Sequence, residues 1–103
     1  MNKINKQLLK KLEAQPGYDL SPTHPFKSDY KRISRDGRHN IDELKYVVEL
    51  IRHGKSLPAS YQDHWINMYQ CRELHIEGDW LLFYLVSNGV VHLLRTRNHN
   101  NSY

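Results

Sequence analysis

The chain has 103 residues, which fits a single domain because a second hydrophobic core would have too few residues to bury. Lysine and arginine together number 15 against 11 acidic residues, and the formal charge of +4 favours an anionic partner such as nucleic acid, an acidic protein or an anionic surface. Hydrophobic residues make up 39% of the chain, enough for a packed core, so a disordered protein is excluded.

Membrane, secreted and cofactor-binding classes are also disfavoured. The longest apolar run, residues 80–86, is far shorter than the roughly 20 residues that cross a bilayer, and no apolar stretch follows the N-terminal lysines to make a signal peptide. The single cysteine, Cys71, excludes an internal disulfide and a multi-cysteine zinc site and indicates a reducing cytoplasm. Because no ligand pair has metal-binding spacing and no glycine-rich phosphate loop is present, we expect neither a metal nor a cofactor.

The first predicted elements are a helix and a short strand. Residues 1–16 are predicted to form a basic helix that ends at a Pro-Gly pair, because Ile4, Leu8 and Leu12 recur at helical spacing. Residues 18–23 read as a strand, and Pro22 favours an edge position in a sheet because proline has no N–H to donate to a neighbouring strand.

Two helices follow and form a hairpin. The first covers residues 25–35, starts on a proline and has an apolar stripe of Phe26, Tyr30 and Ile33. The second runs from about residue 40 to 54, begins with a capping-box-like pattern and has an apolar face of Ile41, Leu44, Val47, Val48 and Ile51.

The last elements are strands. Residues 69–76 alternate and place Cys71, Glu73 and His75 on one face, whereas the continuously apolar residues 80–86 predict a central strand covered on both faces. An Asn-Gly pair predicts a hairpin turn into the last strand, residues 90–96. The sequence therefore predicts an α+β fold, with a small antiparallel twisted sheet, an αα-hairpin packed on one face, and an extra N-terminal helix.

Residues able to transfer protons concentrate near the C-terminus. In the predicted meander His75, Asp79, Arg95 and His99 lie at one end of the sheet, because antiparallel neighbours bring the end of one strand beside the start of the next. Such a set suits metal-independent RNA cleavage, in which a 2′-hydroxyl loses a proton, an arginine neutralises the phosphorane and the 5′-oxygen gains a proton. A basic surface with aromatics could also bind RNA without cutting it, and spacing alone favours passive binding.

Three stretches of the sequence together resemble a known toxin family. They are Asp63-His64, then R-E-L-H-I-E-G-D-W-L-L-F-Y from position 72, then L-R-T-R-N-H from position 94 with a terminal aromatic, Tyr103. Over about residues 17–103 the chain resembles the bacterial type II toxins of the RelE/ParE superfamily, and within it the YafQ-like mRNA interferases. The H-x-x-x-D-W block followed by R-x-x-x-H is the specific part of this resemblance.

The resemblance implies a RelE-like RNase toxin fold that cuts mRNA in the ribosomal A site. The implied partners are the 70S ribosome, mRNA and a cognate acidic antitoxin, and the chain divides into an N-terminal extension, residues 1–16, and a toxin domain, residues 17–103. Carried over by position, His64, His75, Asp79 and His99 fall on proton-transfer and positioning residues, and Arg95 on the arginine that stabilises the phosphate. Tyr103 falls on the aromatic that orients the substrate base, and we place Arg97 and Trp80 on the substrate side with it.

Structural interpretations remain open for most of these residues. His75 could be a hydrogen-bonded structural histidine, Asp79 a turn former and Trp80 a core residue. We expect His92 to be structural or exposed, and His24, His39 and His53 to be exposed without chemistry.

Two other functions also remain open. One is a non-catalytic, ParE-like poison of DNA gyrase, although that branch lacks this histidine set. The other is an inactive RNA-binding homologue, because the segment after His64 is about two residues shorter than the family pattern.

Overall fold

A computed structural model describes residues 5–98, which form three α-helices and a five-stranded sheet. The helices are α1 (Lys6–Ala14), α2 (His24–Arg35) and α3 (Ile41–Arg52). The strands are β1 (Asp19–Pro22), β2 (His64–Ile66), β3 (Cys71–Glu77), β4 (Trp80–Ser87) and β5 (Val90–Asn98), and a 3-10 turn, Ala59–Tyr61, precedes β2. Within the described range, no helix has the length and apolar character needed to cross a membrane.

The sheet has the strand order β1-β5-β4-β3-β2, so the apolar strand β4 lies at its centre and β1 lies at an edge, both as predicted. Strands β2 to β5 pair antiparallel, but β1 runs parallel to β5. The expectation of a purely antiparallel sheet is therefore wrong at this edge. A parallel pair needs a long crossover, which α2, α3 and the following strands provide here, and the residue pattern of a single strand does not specify the direction of its neighbour.

The sequence predicts no strand between residues 54 and 69, so β2 is an addition to the predicted elements. Three residues are too few for periodicity to reveal a strand. β2 forms because His64 and Ile66 pair with Glu73 and Cys71 of β3. This extra edge strand brings His64 onto the sheet.

The two faces of the sheet differ. The helical face packs against α2 and α3 in the main core, which includes Phe26, Ile33, Leu44, Val47, Ile51, Leu74, Leu82, Tyr84, Val91 and Leu93. The opposite face, called the open face here, is defined by a smaller buried cluster of Cys71, Leu81 and Phe83, with Leu94 packed against it. The alternation predicted for β3 is confirmed, since Leu74 lies on the helical face and Cys71 on the open face.

Helix α1 packs on α3, on the helical side of the molecule. It buries Leu9 and Leu12, whereas Leu8, expected in the apolar stripe, is exposed. At its C-terminal end, Arg52 Nη2 donates to the carbonyl oxygens of Leu12 and Gln15 at 3.2 and 2.8 Å. These bonds satisfy carbonyls that a helix end leaves without partners.

His53 contributes to the same contact. Its Nε2 donates to the Leu12 carbonyl oxygen at 2.8 Å, and its side chain is nearly buried beside Glu49. The expectation that His53 is exposed and without partners is therefore wrong, because the N-terminal helix folds back over it.

Candidate functional site

His64 and Glu73 face each other at the edge of the open face. Their Cα atoms are partners in the β2–β3 pairing, and His64 Nε2 lies 3.3 Å from Glu73 Oε1. The other ring nitrogen, Nδ1, lies 2.6 Å from the carbonyl oxygen of Gln62. The hydrogen bond to Gln62 and the neighbouring Glu73 carboxylate together restrain the orientation of the imidazole. Glu73 is a candidate that the sequence analysis missed, and its alternation with His75 on β3 was the available signal.

A hydrogen-bond network fixes the residue before His64. Asp63 accepts from Arg72 Nε at 3.1 Å and Nη2 at 2.9 Å, and from the Tyr84 hydroxyl at 2.5 Å. Burial, reinforced by the Asp63 carboxylate, raises the pKa of Tyr84 well above its usual value. The phenol therefore remains a donor at neutral pH, and the network holds the start of β2 in place.

His75 lies one step further along the sheet, in line with Arg97. His75 pairs with the fully buried Leu81, which pairs with Arg97. Because neighbouring strands are about 4.8 Å apart, the Cα atoms of His75 and Arg97 are separated by about 10 Å. His75 Nδ1 donates to the Gly78 carbonyl oxygen at 3.3 Å, so Nε2 is the ring nitrogen outside this hydrogen bond.

Asp79 lies in the two-residue turn that joins β3 and β4, where Gly78 has a φ of +58°. Its side chain is exposed at the end of the sheet where His75 lies. The structure therefore brings His75 and Asp79 to one end of the sheet, as predicted. Arg95, expected beside them, lies one pair further in, opposite Phe83, and Arg97 is the arginine in line with His75. The predicted site residues His99 and Tyr103 lie outside the described residues.

Arg95 forms a two-point ion pair with Asp29 of α2. Its Nε donates to Oδ2 at 2.7 Å and its Nη2 donates to Oδ1 at 3.0 Å. Burial alone would raise the pKa of Asp29, but hydrogen bonds from Arg95 and from the Thr96 backbone N–H outweigh it, and the pKa lies below its usual value. The pair is therefore charged at neutral pH, and Nη1 of Arg95 remains outside it.

Trp80 is a core residue in this structure. Its side chain is 2% exposed, and its indole N–H donates to Thr96 Oγ1 at 2.8 Å. The expected contact of Trp80 with substrate is therefore corrected, because a buried ring offers no face to a base. Instead, Trp80 holds β5 beside β4.

His39 also lies at this end of the molecule and was wrongly expected to be exposed without partners. Its ring packs edge-on to Trp80, with 4.6 Å between the centroids. Its Nδ1 lies 2.6 Å from Asp36 Oδ2, and its Nε2 lies 3.0 Å from Asn98 Oδ1. Local sequence patterns carry no signal for this contact, because 59 positions separate His39 from Asn98.

Two β-bulges shape the site. The register shifts in the β3–β4 pairing between His75 and Glu77, and in the β4–β5 pairing at Leu94. Each bulge inserts one unpaired residue and bends its strand, and bulges are frequent beside active sites because they re-aim side chains. Strict alternation therefore does not describe the strand ends that carry the candidate residues.

Cys71 is an unsuitable nucleophile. Burial, with a smaller contribution from the Glu73 charge, raises the pKa of its thiol, so the reactive thiolate is disfavoured. Across residues 5–98, no three His, Cys, Asp or Glu side chains gather in a way that could hold a metal ion. The described side chains thus offer imidazoles and a carboxylate for proton transfer, and arginines for a phosphate.

Comparisons with known proteins agree with this architecture. Residues 18–102 match the family described as the bacterial toxin of type II toxin-antitoxin system, YafQ. The mRNA interferase toxin YafQ of Escherichia coli strain B is 30% identical over 84 residues, which cover 79% of this chain and 90% of that protein.

Solved structures with the same fold include two toxins. YafQ in the Escherichia coli DinJ-YafQ complex superimposes with a TM-score of 0.73 at 28% identity, covering 84% of this chain and 98% of that one. A copper-bound mutant toxin from Helicobacter pylori gives a TM-score of 0.76 at 26% identity, covering 84% and 99%. Helix α1 precedes the residues that match the family.

Proposed function

Because the chain belongs to the YafQ family of bacterial type II toxin-antitoxin toxins, we propose that it is an endoribonuclease of the mRNA-interferase type. It cleaves mRNA in the A site of the 70S ribosome without a metal ion, and it thereby inhibits translation and growth. It acts in the cytoplasm, where ribosomes and mRNA meet. A cognate acidic antitoxin neutralises it, as the DinJ-YafQ complex of the relative suggests.

The observation that carries this proposal is the pair of histidines on the open face. His64 is fixed beside Glu73, and His75 lies in the next row of the sheet with its Nδ1 committed to a backbone carbonyl. Both histidines lie on paired strands: His64 pairs with Glu73 and His75 with Leu81, and the Asp63 network holds the start of β2. Two oriented imidazoles on one face suit a reaction that needs both a proton acceptor and a proton donor.

The proposed reaction has two coupled proton transfers. A base removes the proton of the 2′-hydroxyl, whose oxygen attacks the adjacent phosphorus, and the bond from phosphorus to the 5′-oxygen breaks. The leaving oxygen takes a proton from an acid, which gives a 2′,3′-cyclic phosphate and a 5′-hydroxyl. We assign the acid and the base to the set His64, His75, Asp79 and His99, with Glu73 orienting His64.

Positive side chains stabilise the pentacoordinate phosphorus. The open face carries Arg97 in line with His75, and Arg95 lies one row further in, beside Phe83. A guanidinium can bond two phosphate oxygens at once, so these arginines suit the developing charge. Tyr103 orients the substrate base in this proposal.

Mapping mRNA ends after induction tests the proposal. We expect primer extension to show defined cuts inside codons, and a folded His99→Ala protein to lose most of this cleavage. Full cleavage by folded His99→Ala would contradict the site. DNA damage without mRNA cuts would support the gyrase poison instead, and growth without arrest would support an inactive homologue.

A modified substrate identifies the acid. Replacing the bridging 5′-oxygen by sulfur gives a leaving group that departs without protonation, so loss of the acid ceases to slow the reaction. If a histidine variant cleaves this substrate at the wild-type rate, the replaced histidine is the general acid. If a variant still cleaves it slowly, the replaced histidine has a different role. If no variant regains activity, acid catalysis by these histidines is wrong.

A further inference from the structure

The outer edge of β5 changes partner part-way along the strand. Among the described residues, β1 pairs with β5 only from Val90 to Leu93. At the end of this pairing, Thr23, the N-cap of α2, binds the edge of β5. Its N–H donates to the Leu93 carbonyl oxygen and its hydroxyl donates to the Leu94 carbonyl oxygen, both at 2.9 Å. Residues 95–98 are called the terminal segment here. Their inner edge pairs with β4, but on their outer edge the helical hairpin takes the place of a neighbouring strand.

Asp29 supplies the acceptor that a neighbouring strand would otherwise provide. Its Oδ2 accepts the backbone N–H of Thr96 at 3.2 Å and Arg95 Nε at 2.7 Å, while its Oδ1 accepts Arg95 Nη2 at 3.0 Å. The carboxylate is 1% exposed, whereas the Arg95 side chain is 40% exposed. The buried Asp29 carboxylate therefore holds the partly exposed Arg95 guanidinium in place.

The opposite end of the terminal segment is held in a similar way. His39 reaches from the loop between α2 and α3 to Asn98, with Nε2 lying 3.0 Å from Oδ1. Asn98 is the residue directly before His99. Both contacts come from the helical hairpin, so the hairpin fixes the strand end that carries Arg95 and Arg97 and leads to His99.

We propose that Asp29 is a positioning residue for RNA cleavage, which holds Arg95 and the terminal segment of β5 in the place a neighbouring strand would occupy. The inference rests on the proposed function. Asp29 does not touch substrate; it acts through Arg95, whose Nη1 is left to meet a phosphate oxygen. A guanidinium fixed through Nε and Nη2 loses less freedom when it binds phosphate than one that is mobile.

The test is a double-mutant cycle on the single-turnover rate of cleavage of ribosome-bound mRNA. We expect Asp29→Asn to lower this rate about tenfold or more, because small displacements of a catalytic group are costly. In an Arg95→Ala background the same Asp29→Asn change should alter the rate by less than about twofold, because its effect passes through Arg95.

Glu49→Gln is the matched control. Glu49 is another buried carboxylate that binds an arginine, with Arg52 Nε at 3.0 Å, but this pair holds α1 on the helical side. We expect Glu49→Gln to destabilise the fold to a similar degree and to leave cleavage unchanged at a temperature where both variants are folded. Equal losses of cleavage in the two variants, or wild-type cleavage by folded Asp29→Asn, would overturn the proposal.

Asp29→Glu and amide hydrogen exchange test the same anchoring role independently. If Asp29→Asn does not fold, Asp29→Glu retains the charge but displaces it by one methylene, and it should fold and cleave slowly. Amide hydrogen exchange at Thr96 should accelerate in the Asp29 variants and not in Glu49→Gln; unchanged exchange contradicts the anchoring. If the wild-type protein leaves RNA uncut, the proposed function fails, and the exchange measurement still decides whether Asp29 anchors β5.

Discussion

At the scale of single residues, His75 and His92 both lie on the open face, so the effects of replacing each one on cleavage can be compared directly. His92 pairs with Leu85, on the same face as His75 but toward the opposite end of the sheet, and its Nε2 lies 3.2 Å from Ser87 Oγ. We expect His75→Ala to lower the single-turnover cleavage rate by about 100-fold or more, as loss of a general acid or base does. His92→Ala should cleave at the wild-type rate, and equal losses in the two variants would contradict the placement of the site.

The lowered pKa of Asp29 predicts a pH dependence of stability. Because the folded protein holds this carboxyl in its charged form, the stabilisation is complete above the unfolded value of about 3.9 and is lost as the pH falls through the lower folded value. Urea unfolding between pH 6 and pH 2 should therefore show a steeper acid loss for wild type than for Asp29→Asn. Parallel curves for the two proteins would contradict this.

Much of the candidate site could be predicted from local sequence patterns. His75 and Asp79 lie within one hairpin, so alternation and turn chemistry suffice to bring them to one end of the sheet. The partners of Arg95 and Asn98 could not be predicted in this way. Asp29 lies 66 positions before Arg95, and only the packing of α2 on β5 brings the two together.

At the scale of secondary-structure elements, α1 contributes stability and not catalysis in our interpretation, because it packs on the helical side. Leu12 is buried against α3, whereas Leu8 on the same helix is exposed. We expect Leu12→Ala to lower the free energy of unfolding by about 2–5 kcal/mol, the usual cost of a large-to-small core change. Leu8→Ala is the control and should change it by about 0.5 kcal/mol or less.

Urea denaturation measures the free energy of unfolding of both leucine variants, and cleavage assays at low temperature measure their activity. Both folded proteins should cut RNA at the wild-type rate. A loss of cleavage in folded Leu12→Ala would show that α1 communicates with the open face.

The elements themselves were predicted where the chain carries a long pattern. The apolar stripes of α2 and α3 and the apolar run of β4 were confirmed, as was the Asn88-Gly89 turn, in which both residues have positive φ. The three-residue strand β2 and the parallel direction of β1 were not predictable, since both depend on a partner strand distant in sequence.

At the scale of the whole molecule, the charge of +4 predicts salt-sensitive binding to RNA. Each phosphate contact releases counterions, so affinity falls as salt rises. We expect the inactive His75→Ala protein to bind ribosome-free RNA about tenfold or more weakly at 200 mM than at 50 mM salt. Fluorescence anisotropy would measure this, and affinity that is independent of salt would show that contacts other than phosphate dominate.

The way in which α1 is held has a consequence for how freely its sequence can change. Arg52 and His53 bind main-chain carbonyl oxygens of the extension, which every amino acid possesses. Apart from Leu9 and Leu12, the docking therefore places little demand on side-chain identity. The sequence of the extension can accordingly diverge rapidly in evolution without loss of these main-chain hydrogen bonds. For the same reason, a grafted helix bearing a probe can replace it and still be bound by Arg52 and His53.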